Sequence, residues 1–75
     1  MIDLIEEVAA ARQLPTPRLA REIRLAAGVS QARLATQLGV QRVTVARWES
    51  GVRRPRGQNL LAYVGLLRNL QEVRQ

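Results

Sequence analysis

The apolar positions fall in five blocks of helical spacing, and no block shows the two-residue alternation of a half-buried strand. In the first block Leu4, Val8 and Ala11 share a face, which predicts a helix from about Asp3 to Gln13 with Asp3 as its cap. The run Leu14-Pro15-Thr16-Pro17 breaks it. Thr16 followed by Pro17 also opens the next helix, with a hydroxyl at the N-cap and proline in the first turn. That second helix is expected to reach about Ala27, to bury Leu19, Ile23 and Ala26, and to stop at Gly28. Ser30 caps a third, Gln31 to Leu38, with Leu34, Ala35 and Leu38 inward and Gly39 ending it in a left-handed conformation. A fourth runs from about Gln41 to Ser50 and stops at Gly51. VRRPRG is a loop punctuated by Pro55 and Gly57, and a last helix runs from about Gln58 to Val73. The expected class is all-α, in one domain with one small core.

The fourth helix, GVQRVTVARWESG with its flanks, poses a question. With Val45 at the centre of the inward side, a 100° step per residue brings Trp48, Glu49 and Gln41 within about 60° of it. Val43, Arg47 and Ser50 fall on the opposite side, and Ala46 and Arg42 on the flank. Core packing by Val45 and Trp48 therefore turns Arg42, Val43 and Arg47 to the outside.

Charge narrows the choice. The net charge is +6, and residues 12 to 56 hold ten Arg against Glu22 and Glu49 alone, so the two ends together are acidic. A GC-rich coding bias accounts for the use of Arg without Lys, but not for the clustering, which suits a polyanionic partner. The chain has neither Cys nor His, which removes disulfides, Cys/His zinc sites, thiol nucleophiles and imidazole bases. Six carboxylates without an evident pair, and no Gly-rich phosphate loop, leave no enzyme to expect and no cofactor or metal. No apolar run approaches the roughly 20 residues of a membrane span. The start, MIDLIEEV, lacks the basic segment of a signal peptide, so a cytoplasmic location is expected, on the nucleoid when bound to DNA, with no membrane partner.

Two short helices around a Gly-containing turn form a helix-turn-helix, here about residues 31–50. Ala35 is small where the helices cross, Gly39 makes the turn, Val40 covers it, and Leu34, Leu38, Val45 and Trp48 fix the angle. With these residues in place, the stretch IRLAAGVSQARLATQLGVQRVTVARWESGVRRP resembles the Xre-type helix-turn-helix family of lambdoid phage repressors and Cro proteins. The resemblance rests on Arg24, Gly28, Ser30-Gln31, Leu34-Ala35, Leu38-Gly39-Val40, Thr44-Val45, Trp48-Glu49, Gly51 and Pro55, and extends over about residues 18 to 70.

The resemblance implies a five-helix, lambda-repressor-like DNA-binding domain, including or plus the extra N-terminal helix, whose helix 41–50 enters the major groove. Residues 1–14 are then an accessory helix and residues 16–75 the DNA-binding domain. Arg42, Val43 and Arg47 are the foremost candidates for reading bases, since Arg forks to guanine O6 and N7 and Val touches a thymine methyl. Gln41 and Thr44 are lesser ones, for a base edge or a phosphate. Arg53, Arg54 and Arg56 are phosphate candidates, against the reading of a solvated loop. Gln31, where a side-chain amide and a helix N-terminus coincide, is another phosphate candidate; its family counterpart touches the DNA backbone and can brace the residue at position 42. The family also pairs an Arg with the Glu after the Trp position, here Arg24 with Glu49. Trp48 reads as core rather than as a stacking platform, and Arg21 and Arg33 as solvated.

The expected function is a sequence-specific regulator binding double-stranded operator DNA, a repressor of phage, prophage or plasmid type. The alternatives are an antitoxin that binds a toxin and represses its own operon, and a modulator docking on RNA polymerase. Assembly is open at this point. On the last helix Leu60, Tyr63, Val64 and Leu67 make one stripe, and Ala62, Leu66 and Val73, with Leu70 between, make a second; the arc of about 200° exceeds the roughly 100° of a surface helix. No separate C-terminal dimerisation domain of the kind found in many phage repressors is expected here. Either Leu4, Ile5 and Val8 of the first helix fold back over the second stripe, with Glu6 and Glu7 facing elsewhere, or two last helices pair in a homodimer with recognition helices about 34 Å apart.

Overall fold

A carboxylate or a hydroxyl caps the start of the first three helices, and a left-handed glycine ends the third and the fourth. The computed structural model describes residues 2–73, and the ends of the expected segments 1–14 and 16–75, Met1, Arg74 and Gln75, lie outside them. Within them are five α-helices and no strand: α1 (Leu4–Gln13), α2 (Pro17–Ala26), α3 (Gln31–Leu38), α4 (Arg42–Ser50) and α5 (Gly57–Glu72). Asp3 and Glu6 close a reciprocal capping box on α1. Thr16 Oγ1 accepts from Leu19 N at 3.2 Å and Ser30 Oγ from Arg33 N at 3.0 Å. Gly39 ends α3 at φ 72°, and Val40 N donates back to Ala35 O at 3.0 Å, so the turn into α4 is tight. Gln41 is the residue before α4 rather than its first member.

One core cluster gathers Ala20, Ile23, Leu34, Ala35, Val45, Trp48, Tyr63 and Leu67. The Trp48 and Tyr63 rings stack obliquely, with centroids 4.8 Å apart and planes at 43°. A second, smaller cluster joins Ala10 to Leu60 and Val64, and Leu14 packs against both.

The buried face of α2 differs from the expectation. Ile23 is inside, but its companions are Ala20 and Arg24, while Leu19 and Ala26 are exposed. Ala20 and Arg24 lie on one side of Ile23 around the helix, and Leu19 and Ala26 on the other. The bidentate bond of Arg24 to Glu49 turns that first side inward, and the small Ala20 allows close approach. A charged residue inside is invisible to a count of apolar positions.

The N-terminal helix also seats differently. It does fold back on α5 of its own chain, but through Ala10 and Leu14, not through Leu4, Ile5 and Val8. Leu4 and Ile5 are 70% and 71% exposed. Glu7, expected to face elsewhere, accepts from Gly57 N at 3.1 Å and so caps α5, whose own N-cap residue Arg56 supplies no side-chain bond. Of the second stripe of α5, Leu66 packs against the main core together with Leu70, while Ala62 and Val73 stay exposed.

Candidate nucleic-acid interface

The candidate interface is built on α4. Val45 is fully buried, and Trp48 and Glu49 are buried beside it, so three of nine residues bind the helix to the scaffold. Arg42 and Arg47 are exposed, Val43 is 38% exposed, and Thr44 is half-buried. Gln41 is exposed, and its side chain forms no cap bond to α4.

A chain of polar contacts runs from α2 to the exposed side of α4. Arg24 Nε donates to Glu49 Oε2 at 2.6 Å, and Arg24 Nη2 to Glu49 Oε1 at 3.0 Å. Arg24 Nη1 donates to the carbonyl of Val29 at 2.8 Å, which ties in the turn before α3. Gln31 Nε2 donates to the same Glu49 Oε1 at 3.1 Å, and Gln31 Oε1 accepts from Arg42 Nη1 at 3.0 Å. The Gln31 amide thus has both ends engaged and holds the Arg42 guanidinium at the edge of α4. The hydrogen bond to Glu49 raises the Arg24 pKa despite the opposing effect of burial. Tyr63, beneath them, is pushed up to about 12, chiefly by burial and further by the Glu49 charge, with Arg24 acting the other way. Its hydroxyl has no hydrogen-bond partner among the described residues.

The second part of the surface is the loop after α4. Arg53 N donates to Arg47 O at 3.3 Å, and Pro55 is buried, so the loop is pinned at both points. Arg53, Arg54 and Arg56 then line one groove with Arg47 and Thr44 of α4 and Asn59 of α5. Of the residues singled out from sequence, Arg47, Thr44, Arg53, Arg54 and Arg56 come together here; Gln31 and Arg42 come together at the other edge of α4. Asn59 is the residue that sequence reasoning missed. The signal was present in GQN directly after RRPR, an amide in the first turn of a helix that follows an arginine run. Among the described residues no group of acidic side chains could hold a metal ion, and no helix is long and apolar enough to cross a membrane.

What such a surface does chemically is limited and specific. Fixed guanidinium groups and amides fork to phosphates and base edges, and an exposed valine between them offers an apolar contact. Comparison with known proteins agrees with the geometry: the sequence model of a family described as helix-turn-helix matches residues 21–72, from α2 through the turn, α4 and the arginine loop into α5. Searches of curated proteins and of solved structures returned no match.

Proposed function

The chain belongs to the Xre/Cro-like helix-turn-helix family of DNA-binding regulators, and from that premise we propose that it is a sequence-specific transcriptional repressor that reads operator DNA with α4. The observation that carries this reading is the outward set Arg42, Val43 and Arg47 on a helix whose opposite side is locked by Val45, Trp48 and Glu49. In the major groove the two arginines fork to guanines and Val43 meets a thymine methyl. Ala46 beside them is small and keeps the helix close to the bases. Gln41 and Thr44 contact a base edge or a phosphate. Arg53, Arg54 and Arg56 grip phosphates through the groove they share with Arg47, and Gln31 adds the N-terminus of α3. Bracing Arg42 through Gln31 and Glu49 lowers the ordering cost of binding. Occupation of an operator that overlaps a promoter is enough to block polymerase, which is why repression is the sign proposed. A protein acting on chromosomal or phage DNA in this way works in the cytoplasm.

The reading is tested by fluorescence anisotropy with duplexes from upstream of the protein's own operon. Four to six neutralised phosphates per subunit give a slope of log K against log[salt] of about −4 to −5 per subunit. An absence of binding to any duplex at low salt contradicts it.

A further inference from the structure

A cleft of about 300 Å³ lies between the link that joins α1 to α2 and the loop that follows α4. Leu14, Pro15 and Pro17 line it from the link and Pro55 from the loop, over the buried Ala20, Trp48 and Tyr63. Gly51 keeps it open: a Cβ on this left-handed residue would lie 3.6 Å from Pro17 Cγ. The polar side chains of the cleft are those of Thr16, Arg53 and Arg54, all exposed, besides the Trp48 and Tyr63 rings. No carboxylate lines it. Among the described residues the ion pairs are Arg18–Glu22 and Arg24–Glu49, so neither loop arginine is paired.

We propose that this cleft binds a small organic acid, a flat body of one or two rings bearing one carboxylate, and that its occupation weakens DNA binding. The volume sits at the lower end of the roughly 300–1,000 Å³ of small-molecule pockets, and the lining has their mixture of apolar walls with a few polar groups. Two indole and phenol rings and three prolines offer flat apolar contact to a ring. Two unpaired guanidinium groups fork to a carboxylate. A bare inorganic anion would leave the apolar lining unused, a neutral ring would leave the arginines unused, and a cation would be repelled by them. The coupling to DNA follows from shared residues. Arg53 and Arg54 also line the groove of Arg47, Thr44 and Asn59, where phosphates are proposed to sit. A carboxylate that holds either arginine withdraws it from a phosphate, and by linkage the acid and the duplex weaken each other's binding equally. That coupling rests on the DNA-binding reading, whereas binding of the acid does not.

Trp48 is the single tryptophan of the chain, so its emission reports on the cleft. The test titrates the full chain with phenylacetate, with its neutral amide phenylacetamide and with acetate. Phenylacetate is expected to change the emission saturably, at concentrations at least about tenfold below those that either control requires. Backbone amide shifts in NMR spectra, followed with phenylacetate and with the two-ring acid 2-naphthoate, should centre on Thr16, Gly51, Arg53 and Arg54. Arg53→Gln combined with Arg54→Gln removes the preference for the acid, with helical circular dichroism unchanged because both side chains are exposed. The proposal is overturned by the absence of saturable binding of either acid, by an equal response to all three titrants, by shifts centred elsewhere, or by a preference that survives the double substitution. In the anisotropy assay, saturating phenylacetate should raise the Kd for duplex at least about fivefold and flatten the salt slope by about one. Undiminished DNA affinity with the acid bound overturns the coupling. Failure to bind DNA with acid binding intact would count against the proposed function alone.

Discussion

Glu49 serves three donors with two oxygens, and its side chain is 2% exposed. Its removal strands the buried Arg24 guanidinium and unseats Gln31. Glu49→Ala is therefore expected to cost about 3–5 kcal/mol, the usual penalty for breaking a buried pair from one side. Replacing both Arg24 and Glu49 with apolar residues of similar volume should cost less than that single change. Thermal melts of the four-member cycle measure the coupling, and zero coupling contradicts the account. Tyr63 makes the opposite case. Its buried hydroxyl lacks a partner, so Tyr63→Phe removes an uncompensated polar group and the melting temperature at neutral pH should not fall. The two forms should part at high pH. A phenol held protonated up to about 12 in the folded chain ionises near 10 once unfolded. The unfolded state therefore binds fewer protons in that window, and the wild type loses stability between about pH 10 and 12 by a step that the Phe variant lacks. Alkaline titration followed by circular dichroism reads the difference.

At the scale of helices, α5 shows how far local signals reach. Asp3, Thr16 and Ser30 each cap the helix that follows them, and each was readable because cap and helix are adjacent in sequence. The start of α5 has no such residue; its cap is Glu7, 50 positions away. No periodicity could report that bond, and the same long-range fact explains why α1 sits on Ala10 and Leu14 and exposes its larger residues. The phase of α2 escaped for a different reason: apolar spacing alone aligns Leu19, Ile23 and Ala26, and it gives no weight to the Arg24–Glu49 pair that the resemblance implies. By contrast, α3, its turn and the inward side of α4 were legible, since Leu34, Ala35, Gly39, Val45 and Trp48 obey the helical period and the left-handed turn rule without help from distant residues. Glu7→Gln keeps the shape of the α5 cap but removes its charge at a helix N-terminus. It should cost about 0.5–1 kcal/mol in urea unfolding, and Glu7→Ala about 1 kcal/mol or more. Equal stability for wild type and Glu7→Ala would mean that the contact between α1 and α5 does not depend on this cap.

For the molecule as a whole, the basic middle of the sequence supplies both edges of α4: Arg42 with Gln31 at one, and Arg47 with Arg53, Arg54 and Arg56 in a groove at the other. That clustering was legible as charge, and its division of labour is a matter of geometry. Arg42 and Arg47 sit on the helix proposed to read bases, so losing either should cost about 1–3 kcal/mol on a cognate site and relax preference at one position. Arg53→Ala or Arg54→Ala should weaken cognate and random duplexes alike and flatten the salt slope by about one. The most direct measurement is selection from a random duplex library by wild type and Arg47→Ala side by side. The account predicts that the wild type enriches a defined motif, and that the variant enriches the same motif with guanine preference lost at one base pair. Indistinguishable motifs from the two proteins, or no enrichment by the wild type, would contradict the claim that α4 reads the DNA.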